Sequence, residues 1–164
     1  MRILHVINNL GCGGAEKLLS ELAPIMNRLK NIEVNILLLT SKNNMFYDSL
    51  IEENVKIDTL RYNNMYDPRN ILEIKKYIIT GQYDIVHSHL FPSQYWVALS
   101  RVFIKKKNVR FFTTEHTTYN RRRSKIYYRY IERIIYSNYD LIISISKGTQ
   151  QNLIKWIKPK DMGK

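Results

Sequence analysis

The sequence predicts an α/β fold, a doubly wound, mostly parallel sheet with helices on both faces. Three observations carry this. Short apolar runs of strand length alternate with segments of helical periodicity along the whole 164 residues. Several runs, such as Ile3-Leu4-His5-Val6-Ile7 and Val34-Asn35-Ile36-Leu37-Leu38-Leu39, are apolar almost without a break, as in strands covered on both faces. A glycine-rich turn, Gly11-Cys12-Gly13-Gly14, then leads from the first run straight into a helix.

Residues 3–7 are the first strand, and His5, mid-strand, reads as a satisfied core histidine. Residues 15–30 form a helix with Leu18, Leu19, Leu22, Ile25, Met26 and Leu29 at helical spacing, one face to pack on the sheet, and Pro24 as a local kink. A second strand, 34–39, and a short helix, 46–53, precede residues 55–60, which alternate like a half-buried edge strand. Pro68 opens a helix to about residue 80, with Gly81 placed to close it. The fourth strand, 83–89, ends in a polar tip at Ser88-His89, and a helix follows over 93–104. Strand five, 109–114, runs into Glu115-His116-Thr117-Thr118. Residues 121–138 read as one long helix whose apolar stripe, Tyr127, Tyr130, Ile131, Ile134 and Ile135, is needed for the sheet. After a sixth strand, 140–145, Ser146 caps a last helix carrying Leu153, Ile154 and Ile157. Residues 1–157 thus make one domain, and 158–164 a polar tail or the start of a linker.

Composition narrows the function classes. One cysteine, Cys12, allows no internal disulfide, and no Cys/His cluster has zinc spacing, so a cytosolic chain without a bound metal is the expectation. No apolar run approaches the ~18 residues of a spanning helix. Lysine plus arginine outnumber acids 26 to 14, a formal charge of +12, which implies an anionic partner: nucleic acid, anionic lipid or a phosphorylated small molecule. Specific nucleic-acid binding fits poorly, because the basic residues are scattered and the aromatics form no stacking motif. The densest basic and aromatic stretch, from Arg121, Arg122, Arg123 and Lys125 to Tyr130, suits a helix lying on an anionic membrane surface; a solvated face is the plainer reading.

The glycine turn excludes two cofactor classes. In a G-x-G-x-x-G fingerprint Glu16 would stand where the third glycine belongs, and strand two ends without the acidic residue that holds a ribose. A phosphate loop needs Ser or Thr after its lysine, and Lys17 is followed by Leu18. What remains is backbone chemistry: the first amides of the helix have no intrahelical partner and could hold a phosphate at Gly13 and Gly14, glycine giving the chain left-handed freedom and close approach. In a doubly wound sheet, ligands bind outside the carboxyl ends of the strands. Gly13-Gly14, His89 and His116 all fall there, at strands one, four and five.

The ordered set I-L-H-V-I, L-G-C-G-G-A-E-K-L-L, D-I-V-H-S-H, T-T-E-H and Y-D-L-I-I-S-I-S resembles the amino-terminal domain of glycosyltransferase family 4 over nearly the whole chain. The resemblance implies one Rossmann-like half of a GT-B fold. It implies a retaining enzyme that transfers a sugar from a nucleotide-sugar donor to a glycan or lipid-linked acceptor in cell-surface polysaccharide synthesis, with no metal and no cofactor beyond the co-substrate. The chain would be the acceptor-side domain, with the donor-binding carboxyl-terminal domain absent and the fragment alone inactive. Gly13 and Gly14 would lie beside the donor diphosphate or sugar, Glu16 and His89 would contact the acceptor, and His116 would be the active-site histidine. The single cysteine and the basic stretch from Arg121, with a lipid-linked acceptor, suit a location in the cytoplasm, peripheral on the inner face of the membrane. The competing class is a stand-alone basic Rossmann-like module that binds a small molecule or nucleic acid without transferring anything.

Overall fold

The structure, a computed structural model, describes residues 1–104, 108–117 and 120–157. Six strands, β1 (Arg2–Ile7), β2 (Glu33–Leu38), β3 (Lys56–Thr59), β4 (Ile85–His89), β5 (Arg110–Glu115) and β6 (Leu141–Ser144), form one sheet in the order β3-β2-β1-β4-β5-β6. Every neighbouring pair is parallel. The chain starts in the middle, winds out to β3, returns to the other side of β1 and winds out to β6. The switch point therefore lies between β1 and β4, which pair His5 with His87.

The helices are α1 (Gly14–Asn27), α2 (Tyr47–Glu52), α3 (Asn70–Gly81), α4 (Ser93–Val102), α5 (Tyr127–Ser137) and α6 (Lys147–Ile157). Side-chain alternation divides the sheet into two cores. On one face Leu4, Val6, Val86 and Phe111 pack under Ile74 and Ile78 of α3, Val97 and Ala98 of α4, and Ile135 of α5. On the other, Ile7, Ile36, Leu38 and Ile57 pack under Leu19 and Ala23 of α1 and Leu50 of α2. This second core stops at β1. Beyond it the same face of β4, β5 and β6 carries Ile85, His87 and Phe112, half-buried, and Leu141 and Ile143, exposed.

Four expectations change. The helix expected over 121–138 is broken: Arg121–Ser124 form a 3-10 turn, capped by the Asn120 side chain accepting from the Arg122 amide, and Lys125 is extended before α5 begins. Of its expected apolar stripe, α5 turns only Ile135 to the sheet. Its buried residues are Glu132, Ile135 and Tyr136, while Tyr127, Tyr130, Ile131 and Ile134 are exposed. Likewise α1 buries Ala15, Leu19 and Ala23 but exposes Leu18, Leu22 and Ile25, and Leu29, exposed too, lies beyond its end. Finally, the left-handed residue after α3 is Gln82 (φ 51°), and Gly81 belongs to the helix. A Cβ on Gly81 would sit 2.1 Å from the Tyr83 ring, so this glycine makes room for the tyrosine, whose hydroxyl accepts from Asn35 at 2.8 Å.

Candidate functional site

At the carboxyl ends of β1, β4 and β5 a cavity of about 290 Å³ is lined by Asn8, Leu90, Phe91, His116, Arg121 and Arg122 among others. A larger cavity, about 700 Å³, lies between α5, β6 and α6. The rim is the stronger candidate because His116 and the arginines of this cavity lie at the sheet edge from which the glycine turn and α1 also start. Asn8 ties its walls together: its Nδ2 donates to the Phe91 carbonyl at 2.8 Å and its Oδ1 accepts from the Ser93 amide at 3.2 Å. Leu90 sits at φ 63°, a left-handed conformation that costs a branched side chain roughly 1–3 kcal/mol and tends to persist where function demands it.

The glycine turn is exposed at the same rim. No glycine among the described residues has positive φ, so left-handed freedom is not its purpose. Gly13 is the N-cap of α1 with extended backbone (φ −79°, ψ 167°), and no side chain caps the helix. The first-turn amides of α1 are therefore left without a capping side chain. Glu16 folds back over the turn: a Cβ on Gly13 would lie 2.4 Å from its Oε2. The carboxylate thus stands at the positive end of its own helix, the placement the dipole favours. A Cβ on Gly14 would meet nothing within 4 Å, so its missing side chain leaves open space at the rim.

All four histidines of the protein, His5, His87, His89 and His116, gather in one cluster under this rim. Strand periodicity explains it, since residues 87 and 89 share a face and the register sets His5 beside His87. His5 Nδ1 lies 3.0 Å from His89 Nε2, and His89 Nδ1 lies 3.3 Å from His116 Nε2. His87 Nε2 meets Thr114 Oγ1 at 2.8 Å. His89 is buried, below the cavity, and reaches the rim through His116. His5 is only half satisfied, because its Nε2 is buried with no partner among the described residues. Burial holds all four rings in the neutral form: it lowers His5 to about 3 and His87 to about 4, each with help from a neighbouring imidazole, and lowers His89 and His116 as well. The ring nitrogens of His5, His87 and His89 all lie within 4.8 Å of one another, so these three are the residues that could close on a divalent ion.

A second cluster escaped the sequence reading. Glu132, on α5, is fully buried and receives Tyr95 Oη at 3.2 Å, Arg122 Nε at 3.4 Å and Arg123 Nε at 3.5 Å. Glu115, at the end of β5, receives the Tyr136 hydroxyl and Thr117 Oγ1, and Arg123 approaches it as an ion pair at 3.7 Å. Arg122 also stacks over the Phe91 ring, 4.0 Å from its centroid. Of the four cations expected to face a membrane, Arg122 and Arg123 are thus turned inward by two buried carboxylates; Arg121 and Lys125 remain exposed. Ser146 caps α6 as expected, accepting from the Thr149 amide at 3.1 Å.

Residues 12–162 match the family described as Glycosyltransferase Family 4. No curated protein matches the chain. Among solved structures, a glycosyltransferase from Rickettsia africae ESF-5 aligns over 96% of this chain and 40% of its own with TM-score 0.73 and 24% identity. HepE from Anabaena, in complex with UDP and glucose, aligns over 95% and 41% with TM-score 0.72 and 13% identity. A putative UDP-N-acetylglucosamine 2-epimerase from Listeria monocytogenes aligns over 96% and 43% with TM-score 0.63 and 14% identity. The chain spans about two fifths of the length of these structures. At such identities the likeness is one of fold, and the fold serves epimerase as well as transferase; the family match separates the two.

Proposed function

The chain belongs to glycosyltransferase family 4, and from that membership we propose that it is the acceptor-side half of a retaining GT-B transferase. The donor is a nucleotide-sugar, the acceptor a glycan or a lipid-linked sugar of a surface polysaccharide, and the nucleotide is held mainly by a second domain facing this rim. The observation that carries the reading is that the cavity lined by His116 and Arg122 opens at the same carboxyl edge of the sheet from which β1 leads through Gly13 and Gly14 into the uncapped α1. The amides stabilise negative charge on the leaving diphosphate without a bound metal, the kind of preorganised electrostatic help that lowers barriers most. Among the described residues no helix is long and apolar enough to cross a membrane. The exposed stripe of α5 beside Arg121 and Lys125 supports peripheral contact with an anionic bilayer and, with it, a lipid-linked acceptor.

Calorimetric titration with uridine- and guanosine-diphosphate sugars tests the division of labour. The expected result is little or no binding to this chain alone, and binding with sugar transfer by a protein carrying both GT-B halves. Micromolar binding by this chain alone would place the donor site here and overturn the reading.

A further inference from the structure

His89 spends both ring nitrogens on other histidines. One faces His5 at 3.0 Å and the other faces His116 at 3.3 Å. A neutral imidazole has one N–H and one lone pair, so it must donate through one of these contacts and accept through the other. Its two neighbours are then bound to follow, and the three protons run in one direction along the chain. If they run inward, His116 Nε2–H donates to His89 Nδ1, His89 Nε2–H donates to His5 Nδ1, and the remaining proton of His5 sits on Nε2. That atom is buried without a partner among the described residues. If they run outward, His5 Nδ1–H donates to His89 Nε2, His89 Nδ1–H donates to His116 Nε2, and His5 Nε2 holds only a lone pair. Orphaned buried N–H groups are the rarest kind of unmet polar atom, so the outward order is favoured.

We propose that His5 and His89 are positioning residues for His116, holding its ring and fixing its one proton on Nδ1, the nitrogen not engaged with His89. His116 lines the cavity, so it meets a bound sugar as a hydrogen-bond donor. It cannot take a proton at Nε2 without breaking the contact to His89, which removes that atom as a general base. His5, mid-strand and 4% exposed, thereby sets the chemistry of a residue it does not touch. Burial keeps all three rings neutral at pH 7, which the scheme requires. The inference rests on reading His116 as a site residue for what the donor does, but the tautomer is a property of the ligand-free chain and is testable whether or not the chain serves a transferase.

With only four histidines, long-range proton–nitrogen correlation spectra of the 15N-histidine-labelled chain resolve each ring. At pH 7 His5, His89 and His116 are expected to be neutral and protonated on Nδ1. In His5→Phe the His116 nitrogen shifts should move to the average of two exchanging tautomers, while His87→Asn, outside the chain of rings, should leave them in place. A proton on Nε2 of His116 in the unsubstituted protein would overturn the proposal, a result that needs no variant to fold. So would His116 shifts that are the same in His5→Phe as in the unsubstituted protein. Saturable Zn2+ binding that shifts His5, His87 and His89 together would replace the hydrogen-bonded chain with a metal centre and overturn it equally.

Discussion

Protonating a buried imidazole costs the folded state, and this protein has collected three of them in one place. His5, His87 and His89 are held below their ordinary value mainly by burial, His5 at about 3 and His87 at about 4. The unfolded chain takes up these protons near pH 6.5 and the folded chain does not, so stability is fully present above that pH and is lost on acidification. Unfolding free energies from urea titrations between pH 7.5 and 5 should fall, with a slope approaching ~1.4 kcal/mol per pH unit for each buried imidazole. A flat profile would mean that the rings are charged or exposed. Residue by residue, the sequence was half legible. Strand period predicts that His87 and His89 share a face, but only the strand order brings His5 beside them, and no local pattern contains that. Glu115 and Glu132 were harder still, because an acid inside a helix or at a strand end reads as exposed until the arginines that satisfy it are seen to turn inward.

Elements were legible where one period dominated. All six strands and the helices from α1 to α4 lie close to their expected places, since alternation and turn residues fix them locally. Where a helix carries more apolar surface than one face can bury, the sequence does not say which face wins. In α5 the sheet takes Ile135 and Tyr136 and leaves Tyr130 (62% exposed) and Ile134 (64% exposed) to the outside. Expected consequence: the chain co-sediments with vesicles rich in phosphatidylglycerol and less with phosphatidylcholine alone, and retention drops several-fold in Tyr130→Glu/Ile134→Glu. Because both side chains are exposed, the thermal midpoint should hold within a few degrees, about what surface substitutions change. Equal retention by both vesicle types would deny the basic contribution of Arg121 and Lys125.

For the molecule as a whole, the fold class followed from alternation alone, because right-handed crossovers leave few ways to arrange six parallel strands and the helices between them. The imbalance between the two faces did not follow. The crossovers from β3 through β4 and β5 to β6 put α3, α4 and α5 on one side, so the other side of β4, β5 and β6 has no helix of its own among the described residues, and Leu18, Leu22 and Ile25 of α1 add further exposed apolar surface. A surface of this kind changes how the native state looks to a probe. Anilinonaphthalene dyes, usually taken to report a molten globule, should fluoresce with this chain while its near-ultraviolet circular dichroism stays that of fixed aromatic packing. Dim dye with intact dichroism would mean that the patch is covered in solution. A bright one means that a dye-based melting curve would start high and fall, and that unfolding of this protein is better followed by the signal of its two tryptophans.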